Sequence, residues 1–373
     1  MIMGENMRKK ILFTAYSLGL GGIEKALINL LCSEEMKKYD ITLILEKKEG
    51  IFLDLLPKNV RLLEYKIFTD KNILFRKIKN RIKLIYWKIR LHHKFDCSIS
   101  FATYSIPGAH LALSASKNNI LWMHANYYIT YDRDEKKMKD FLDSILTKKF
   151  NRIVFVSHEN MREITKHYPE INKKSIVCNN LINYEEILKK SKEKIHNIKK
   201  EKNFVFVNVG RHEEHQKRLS RIFYAVEKLK KEGYQFKLWL IGDGPDTDEY
   251  KKIVHEKAIE DYVCFFGKKQ NPYPYLKMGD AVLLSSEYEG YPVVFVESMV
   301  LNKPIISTKV SDYEELENKA GIFVDCTKEG VYLGMKQFLD KGFIIKDKFN
   351  PKKYNQNIMK KLTMMIEGND YEK

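Results

Sequence analysis

No two of the five cysteines lie close together. Cys32, Cys97, Cys178, Cys264 and Cys326 are spread along 373 residues, with no C-x-x-C pair. That excludes a zinc ribbon and a disulfide scaffold, and it fits a reducing compartment. No apolar run reaches the ~18 residues of a membrane span. The start, MIMGENMRKKILFTAYSLG, has only a short apolar stretch and no small-residue cleavage site, so no signal peptide is read there. Low complexity and short-period repeats are missing as well. Acid is absent from one stretch: residues 71–94, KNILFRKIKNRIKLIYWKIRLHHK, hold nine Lys and Arg and no Asp or Glu. What is present is ordinary globular usage, 44% apolar and 31% charged, which excludes a disordered or collagen-like chain. The length suits two domains. A cytoplasmic location is the expectation.

The chain carries a formal net charge of +17, and residues 1–185 hold 32 Lys and Arg against 20 Asp and Glu. The first half therefore carries most of the excess. Within 71–94, Ile78, Ile82, Ile85 and Ile89 recur at helical spacing, with Tyr86 and Trp87 nearby. Such a helix has two readings: an apolar face on the core with a solvated basic face, or a helix lying on an anionic membrane surface. Basic charge alone does not make a nucleic-acid binder, and no groove-reading module is present.

Short apolar strands alternate with helices through both halves. In the first, strands are expected at 11–15, 41–45, 96–100, 120–123, 153–157 and 175–178, with a helix from Ile23 to Cys32. In the second, strands fall at 204–209, 237–241, 263–266, 281–284 and 304–307. Helices fall at 219–231, 247–257 and 293–301, and a last one at 352–367. This is the pattern of parallel α/β sheets. The expected division is a Rossmann-like domain over 1–185, a charged linker over 186–202, a second Rossmann-like domain over 203–347, and a C-terminal segment over 348–373. The expected fold class is α/β, two doubly wound domains facing a cleft.

Two glycine loops resemble dinucleotide fingerprints. Gly19-x-Gly21-Gly22 follows a strand and opens a helix, and Glu46 ends the next strand. Glu24 stands where the third glycine belongs, and Gly242-Asp243-Gly244 fails at the same place. A carboxylate there hinders close helix packing and repels a pyrophosphate, so NAD and FAD are not expected. What survives is backbone N–H groups able to approach an anion at a helix N-terminus.

The second domain carries the informative residues. Strand 204–209 ends in Gly210-Arg211, and Lys217 heads the next helix. Cations at a strand's carboxyl end suit a diphosphate. After strand 281–284 comes SSEYEGYPVVFVES, in which Glu289 lies in a loop and Tyr291-Pro292-Val293-Val294 turn into a helix holding Glu297. The two carboxylates can each accept sugar hydroxyls, with phosphates between them at the helix N-terminus. Asp246-x-Asp248 has the spacing of a metal motif but sits where a helix begins, where Asp and Thr cap amides.

The stretches GLGGIEKALINLL (19–31), LWMHAN (121–126), VFVSHENM (154–161), VGRHEEHQKRL (209–219), LWLIGDGP (238–245), 263–308 and SDYEELENKAGIFV (311–324) run in one familiar order. The chain resembles the retaining, metal-independent glycosyltransferases of the GT-B fold, family 4 type, among them enzymes of capsule, exopolysaccharide and lipopolysaccharide assembly. The resemblance implies that the final helix crosses back to the first domain. It implies that Gly21 and Gly22 lie near the donor diphosphate and that His124 lies beside the reacting sugar. Arg211 and Lys217 would bind the leaving diphosphate beside Gly210. Glu289 would hold donor-sugar hydroxyls and Glu297 the ribose. The 267–270 loop, including Lys268, would meet the nucleobase. Tyr291, Pro292, Val293 and Val294 would form the phosphate-binding helix start. Two departures stand out: the arginine-to-lysine spacing is six rather than five, and Arg218 replaces the usual glycine after the lysine.

The implied reaction is transfer of a hexose or N-acetylhexosamine from a nucleotide sugar, by family frequency a UDP-sugar, to a lipid-linked saccharide or other glycan. No cofactor and no metal are expected. A basic first domain fits an expected peripheral location at the inner face of the cell membrane, through 71–94. Rival readings are a sugar-nucleotide 2-epimerase of the same fold and a non-catalytic partner of another transferase.

Overall fold

The structure is a computed structural model that describes residues 8–19, 21–102, 104–195, 198 and 202–369. It divides into two compact units, Met1–Leu181 with Lys353–Lys373, and Ile182–Lys352. Each is a parallel sheet covered by helices.

Unit 1 has seven strands: β1 Lys10–Ala15, β2 Asp40–Leu45, β3 Val60–Glu64, β4 Cys97–Ser100, β5 Asn119–Met123, β6 Arg152–Phe155 and β7 Ser175–Val177. They pair in parallel in the order β3-β2-β1-β4-β5-β6-β7. Residues 11–15 and all of β4 and β5 are buried, as expected of sheet strands covered on both faces. The helices are α1 Gly22–Leu31, α2 Ile73–Leu91, α3 Ile106–Ala115, α4 Tyr127–Thr130, α5 Glu135–Ser144 and α6 His158–His167. Side-chain caps fix several starts: Asn72 accepts from Leu74 N, Ser105 from Gly108 N and Ser157 from Asn160 N.

Unit 2 opens with α7 Tyr184–Lys190, whose Ile187 is buried. This helix covers the first residues of the stretch read as a linker; residues 196–197 and 199–201 of that stretch lie outside the described residues. Six parallel strands follow: β8 Phe204–Val209, β9 Phe236–Ile241, β10 Val263–Gly267, β11 Ala281–Leu284, β12 Ile305–Thr308 and β13 Gly321–Val324. Their order is β10-β9-β8-β11-β12-β13. The helices are α8 Glu214–Lys217, α9 Leu219–Lys231, α10 Thr247–Glu256, α11 Tyr273–Met278, α12 Val293–Val300 and α13 Lys328–Lys341. Phe206, Phe223, Phe236, Leu238, Val331 and Met335 anchor the core. The last helix, α14 Pro351–Glu367, packs in unit 1. There Asn118 Nδ2 donates to Met365 O at 2.9 Å, and Lys361 Nζ to Val177 O at 3.0 Å.

Both sheets reverse direction once in their strand order. In unit 1 the switch lies between β1 and β4, and in unit 2 between β8 and β11. Ligands of open α/β sheets bind outside the carboxyl ends of the strands at such points.

Of the two readings of the isoleucine stripe, the core-facing one fails. The stripe Ile78, Ile82, Ile85 and Ile89 does not face the core; all four side chains are exposed. The inner face of α2 is instead made by Trp87 and Leu91, which are buried with Tyr65 and Leu111. No helix among the described residues is long and apolar enough to cross a membrane.

Candidate active site

The carboxyl edge of unit 2 collects most of the singled-out residues. β8 ends at Val209, and Gly210 continues its ladder, with its N–H donating to Ile241 O at 3.1 Å. A Cβ on Gly242 would stand 1.8 Å from Gly210 O, and Gly242 has φ +157°. Glycine at 242 is thus required for the loops after β8 and β9 to meet. Further on, Asp246 Oδ2 accepts from Glu214 N at 2.7 Å and so fixes the start of α8. Asp248 turns outward to Lys251. The two acids of the D-x-D spacing therefore serve different elements. α10 does begin here, but neither Asp246 nor Thr247 caps its amides, contrary to expectation. Thr247 Oγ1 accepts from Gly244 N and donates to Asp243.

Lys217 is the last residue of α8. Its Nζ lies 2.5 Å from Glu289 Oε1, and both side chains are largely buried. Ser286 Oγ donates to the same Oε1 at 2.7 Å, and Gln216 Nε2 reaches Oε2 at 3.4 Å. Glu289 is thus held by three donors from the loops after β8 and β11, the two strands at the switch. Glu287 N donates to Gln216 O, and Ser285 Oγ to Lys217 O, so the loops are also tied directly. Arg221 pins the second loop from behind, through Ser285 O and the Glu287 carboxylate.

The position after Lys217, where glycine is usual, has a backbone conformation that explains the preference. Arg218 adopts φ 50°, ψ 44°, a left-handed break that separates α8 from α9. Glycine takes that conformation at no steric cost. Arg218 takes it while its guanidinium lies 3.8 Å from Glu287. The Arg211 guanidinium is exposed and pairs with Glu213 at 3.2 Å, while Lys217 pairs with Glu289.

Glu297 sits in the second turn of α12 and is buried; Tyr273 Oη donates to Oε1 at 3.1 Å. Burial and the neighbouring carboxylate push the Tyr273 hydroxyl far above its usual range, so it remains a donor. No side chain caps α12, which leaves the amides at Val293 and Val294 to other acceptors. Tyr291 and Pro292 lead into it, with Pro292 buried. Ser311 Oγ donates to Gly290 O at 2.9 Å and holds the turn. Gly267, at φ +67°, and exposed Lys268 lie at the end of β10.

Unit 1 has its own collection at its carboxyl edge. Gly21 is the residue before α1, and a Cβ there would meet Glu24 Oε2 at 2.2 Å. Glu24 accepts from Tyr104 Oη at 2.6 Å. Gly22 starts α1. Glu46, just after β2, is buried, accepts from Ser105 Oγ, and has its pKa raised by burial. His124 follows β5, buried against Phe101 and stacked parallel to Trp122. Among the described residues, neither ring nitrogen reaches a partner at full hydrogen-bond geometry. Burial brings its pKa down to about 3, opposed only in part by the Phe101 backbone, so the ring is neutral.

Ser286, Gln216 and Tyr273, which hold the two carboxylates, were not singled out in the sequence. Ser286 had one signal, its place three residues before Glu289 in the same loop. Gln216 and Tyr273 had none, because their relation to the acids is made only by the sheet order.

Two units, each a parallel sheet with ligand-type residues at its carboxyl edge, and a last helix returned to the first unit define the GT-B class. HepE of Anabaena, in a crystal structure with UDP and glucose, superposes on 95% of this chain and 100% of its own. The TM-score is 0.76 at 17% identity. Residues 189–367 match the family described as glycosyl transferases group 1. An uncharacterised glycosyltransferase of Methanocaldococcus jannaschii is 25% identical over 221 residues, 58% of this chain. The match spans about half that relative's length, 54%. A Campylobacter jejuni protein, N-acetylgalactosamine-N,N'-diacetylbacillosaminyl-diphospho-undecaprenol 4-alpha-N-acetylgalactosaminyltransferase, is 24% identical over 343 residues. That match covers 87% of this chain and 88% of the relative.

Proposed function

We propose that this protein transfers a hexose or N-acetylhexosamine from a UDP-sugar to a lipid-linked saccharide or other glycan acceptor, with retention at the anomeric carbon and without a metal. The observation that carries the reading is the group at the unit 2 switch: Gly210, Lys217 and Glu289 on adjoining loops, with the uncapped start of α12 and Glu297 behind it. UDP in the HepE structure and the lipid-linked diphosphate in the name of the Campylobacter relative support the choice of donor and acceptor.

Charge dictates the roles. Cleavage of the anomeric C–O bond leaves its electron pair on the diphosphate and positive charge on the sugar ring. Lys217, Arg211 and the α12 amides stabilise the diphosphate; one such preorganised donor is typically worth ~10²–10³ in rate. Lys217 exchanges Glu289 for phosphate oxygens, and Glu289 is then available to sugar hydroxyls. Glu297 takes the ribose hydroxyls and Lys268 adjoins the base. The acceptor hydroxyl attacks the same face, and its proton passes to the leaving phosphate oxygen. Gly21, Gly22 and His124 keep the roles the resemblance implies. His124 acts as a neutral contact, since an imidazole with so low a pKa is not a cation at pH 7.

The test is release of UDP and GDP from a panel of nucleotide sugars in EDTA, with and without membrane lipid extract. Release from one UDP-sugar, stimulated by lipid and lost in Glu289→Ala, is the expected result. Interconversion of the donor without release indicates an epimerase. A folded protein that binds UDP but neither releases nor interconverts any donor with lipid present indicates a non-catalytic partner.

A further inference from the structure

Helix α2 presents two apolar stripes on opposite sides. The 3.6-residue period puts Leu84, Trp87 and Leu91 on one side, with Asn80 among them. That side is fastened to unit 1. Trp87 meets the Tyr65 ring edge-on at 5.9 Å, and Asn80 clamps both the N–H and the carbonyl of Phe68. Ser114 Oγ donates to Lys88 O at 2.7 Å. The other side holds Leu74, Phe75, Ile78, Ile82, Ile85 and Ile89, and every one is exposed; Ile82 is 62% and Ile89 71% accessible. Large aliphatic side chains gathered into one stripe on a rigid helix are a surface in need of a cover.

Charge identifies the cover. Lys77, Arg81 and Lys88 flank the exposed stripe on one side, and Lys79 and Arg90 on the other, while Lys83 turns inward onto Lys66 O and the Tyr65 and Phe68 rings. Among the described residues only Lys79 of these forms an ion pair, with Asp70. A second copy of this chain docked through the same face would oppose two basic borders. A nucleic acid would match the charge but leave the stripe in water. An anionic bilayer satisfies both, with aliphatic side chains at the acyl boundary and the two cationic rows at the phosphates.

We propose that α2 is a membrane-docking helix that lies flat on an anionic lipid surface through its outer apolar stripe. Docking goes beyond the transfer reaction and does not depend on it. It has a consequence for acceptor delivery. The chain passes from the carboxyl end of β3 through 65–72 into Ile73, and Glu64 at that end accepts from Lys48 N just after β2. The start of α2 therefore adjoins the carboxyl edge of unit 1, beside the residues that follow β1 and β2.

The experiment is sedimentation of the full chain with vesicles of phosphatidylcholine alone, or mixed in equal parts with phosphatidylglycerol. The variants are Ile82→Asp with Ile89→Asp, and separately Lys77→Glu with Arg81→Glu. Melting temperature and sizing chromatography are recorded for each. Expected is binding to the mixed vesicles, weakened at least about tenfold by either pair at an unchanged melting temperature. Equal binding to both vesicle types, binding unaffected by either pair, or no binding overturns the proposal. A dimer that the Ile82→Asp, Ile89→Asp pair dissociates, without vesicle binding, also overturns it and makes the stripe a self-interface. Should the aspartate pair lower the melting temperature, the lysine–arginine pair decides alone.

Discussion

Lys217 Nζ lies 2.5 Å from Glu289 Oε1, and this contact joins the loops after the two strands at the unit 2 switch point. It is a nearly dry ion pair between groups that the proposed reaction assigns to different parts of one ligand. Removing either member leaves the other buried and short of a partner. Lys217→Ala is expected to lower stability by about 1–3 kcal/mol. It should also weaken UDP binding about tenfold to a hundredfold, since a charge-assisted contact to phosphate is lost. Thermal denaturation and calorimetric titration with UDP separate the two effects.

Gly210 and Gly242 make opposite demands. A Cβ on Gly210 meets only the Lys217 side chain, at 3.8 Å from Cε and 3.9 Å from Cδ, ordinary contacts. Gly210→Ala should fold within about 0.5 kcal/mol of the native protein yet bind UDP more weakly, because the backbone can no longer approach the diphosphate closely. Gly242→Ala, with its Cβ 1.8 Å from Gly210 O, should lose both folding stability and binding. Melting curves with and without UDP read both outcomes.

Arg218 holds a left-handed conformation that glycine takes more easily. Arg218→Gly is expected to change stability by no more than about 1 kcal/mol, whereas Arg218→Val should cost about 1–3 kcal/mol. Denaturant titration of the two variants measures the difference.

His124 supplies a pH dependence with a definite sign. Its folded pKa is depressed, from 6.5 to about 3, so the unfolded chain binds the proton first. The stability it contributes is complete above pH 6.5 and is lost as pH falls below that value. At pH 5.5 the loss is about 1.4 kcal/mol. His124→Phe should therefore show a smaller drop in melting temperature between pH 7.5 and 5.5 than the native protein.

Much of the fold was legible because most strands are short apolar runs ending in glycine or a polar turn. β8 and β11 fall on the expected residues. Two edge strands were not foreseen. Val60–Glu64 alternates with polar residues, and Gly321–Val324 is only four residues long beside a glycine. Val60–Glu64 lacks the buried signature of a central strand, whereas Gly321–Val324 shows it over only three residues. The exposed face of α2 was half legible. Periodicity located the isoleucine stripe, but the buried stripe through Leu84, Trp87 and Leu91 interleaves with it. Spacing alone does not say which of two stripes meets the sheet. The site residues could be placed at strand ends, and Lys217, Glu289 and Glu297 stand there. Their mutual contacts depend on β8 lying beside β11 across more than 70 intervening residues, which no local pattern encodes.

Calorimetric titration of UDP into the native protein and into Glu297→Ala and Lys217→Ala, in EDTA, tests the central claim most directly. The proposed site predicts metal-free binding of one UDP, weakened about tenfold or more by each substitution. Binding that requires a divalent ion, or that is unchanged in both variants, would contradict it.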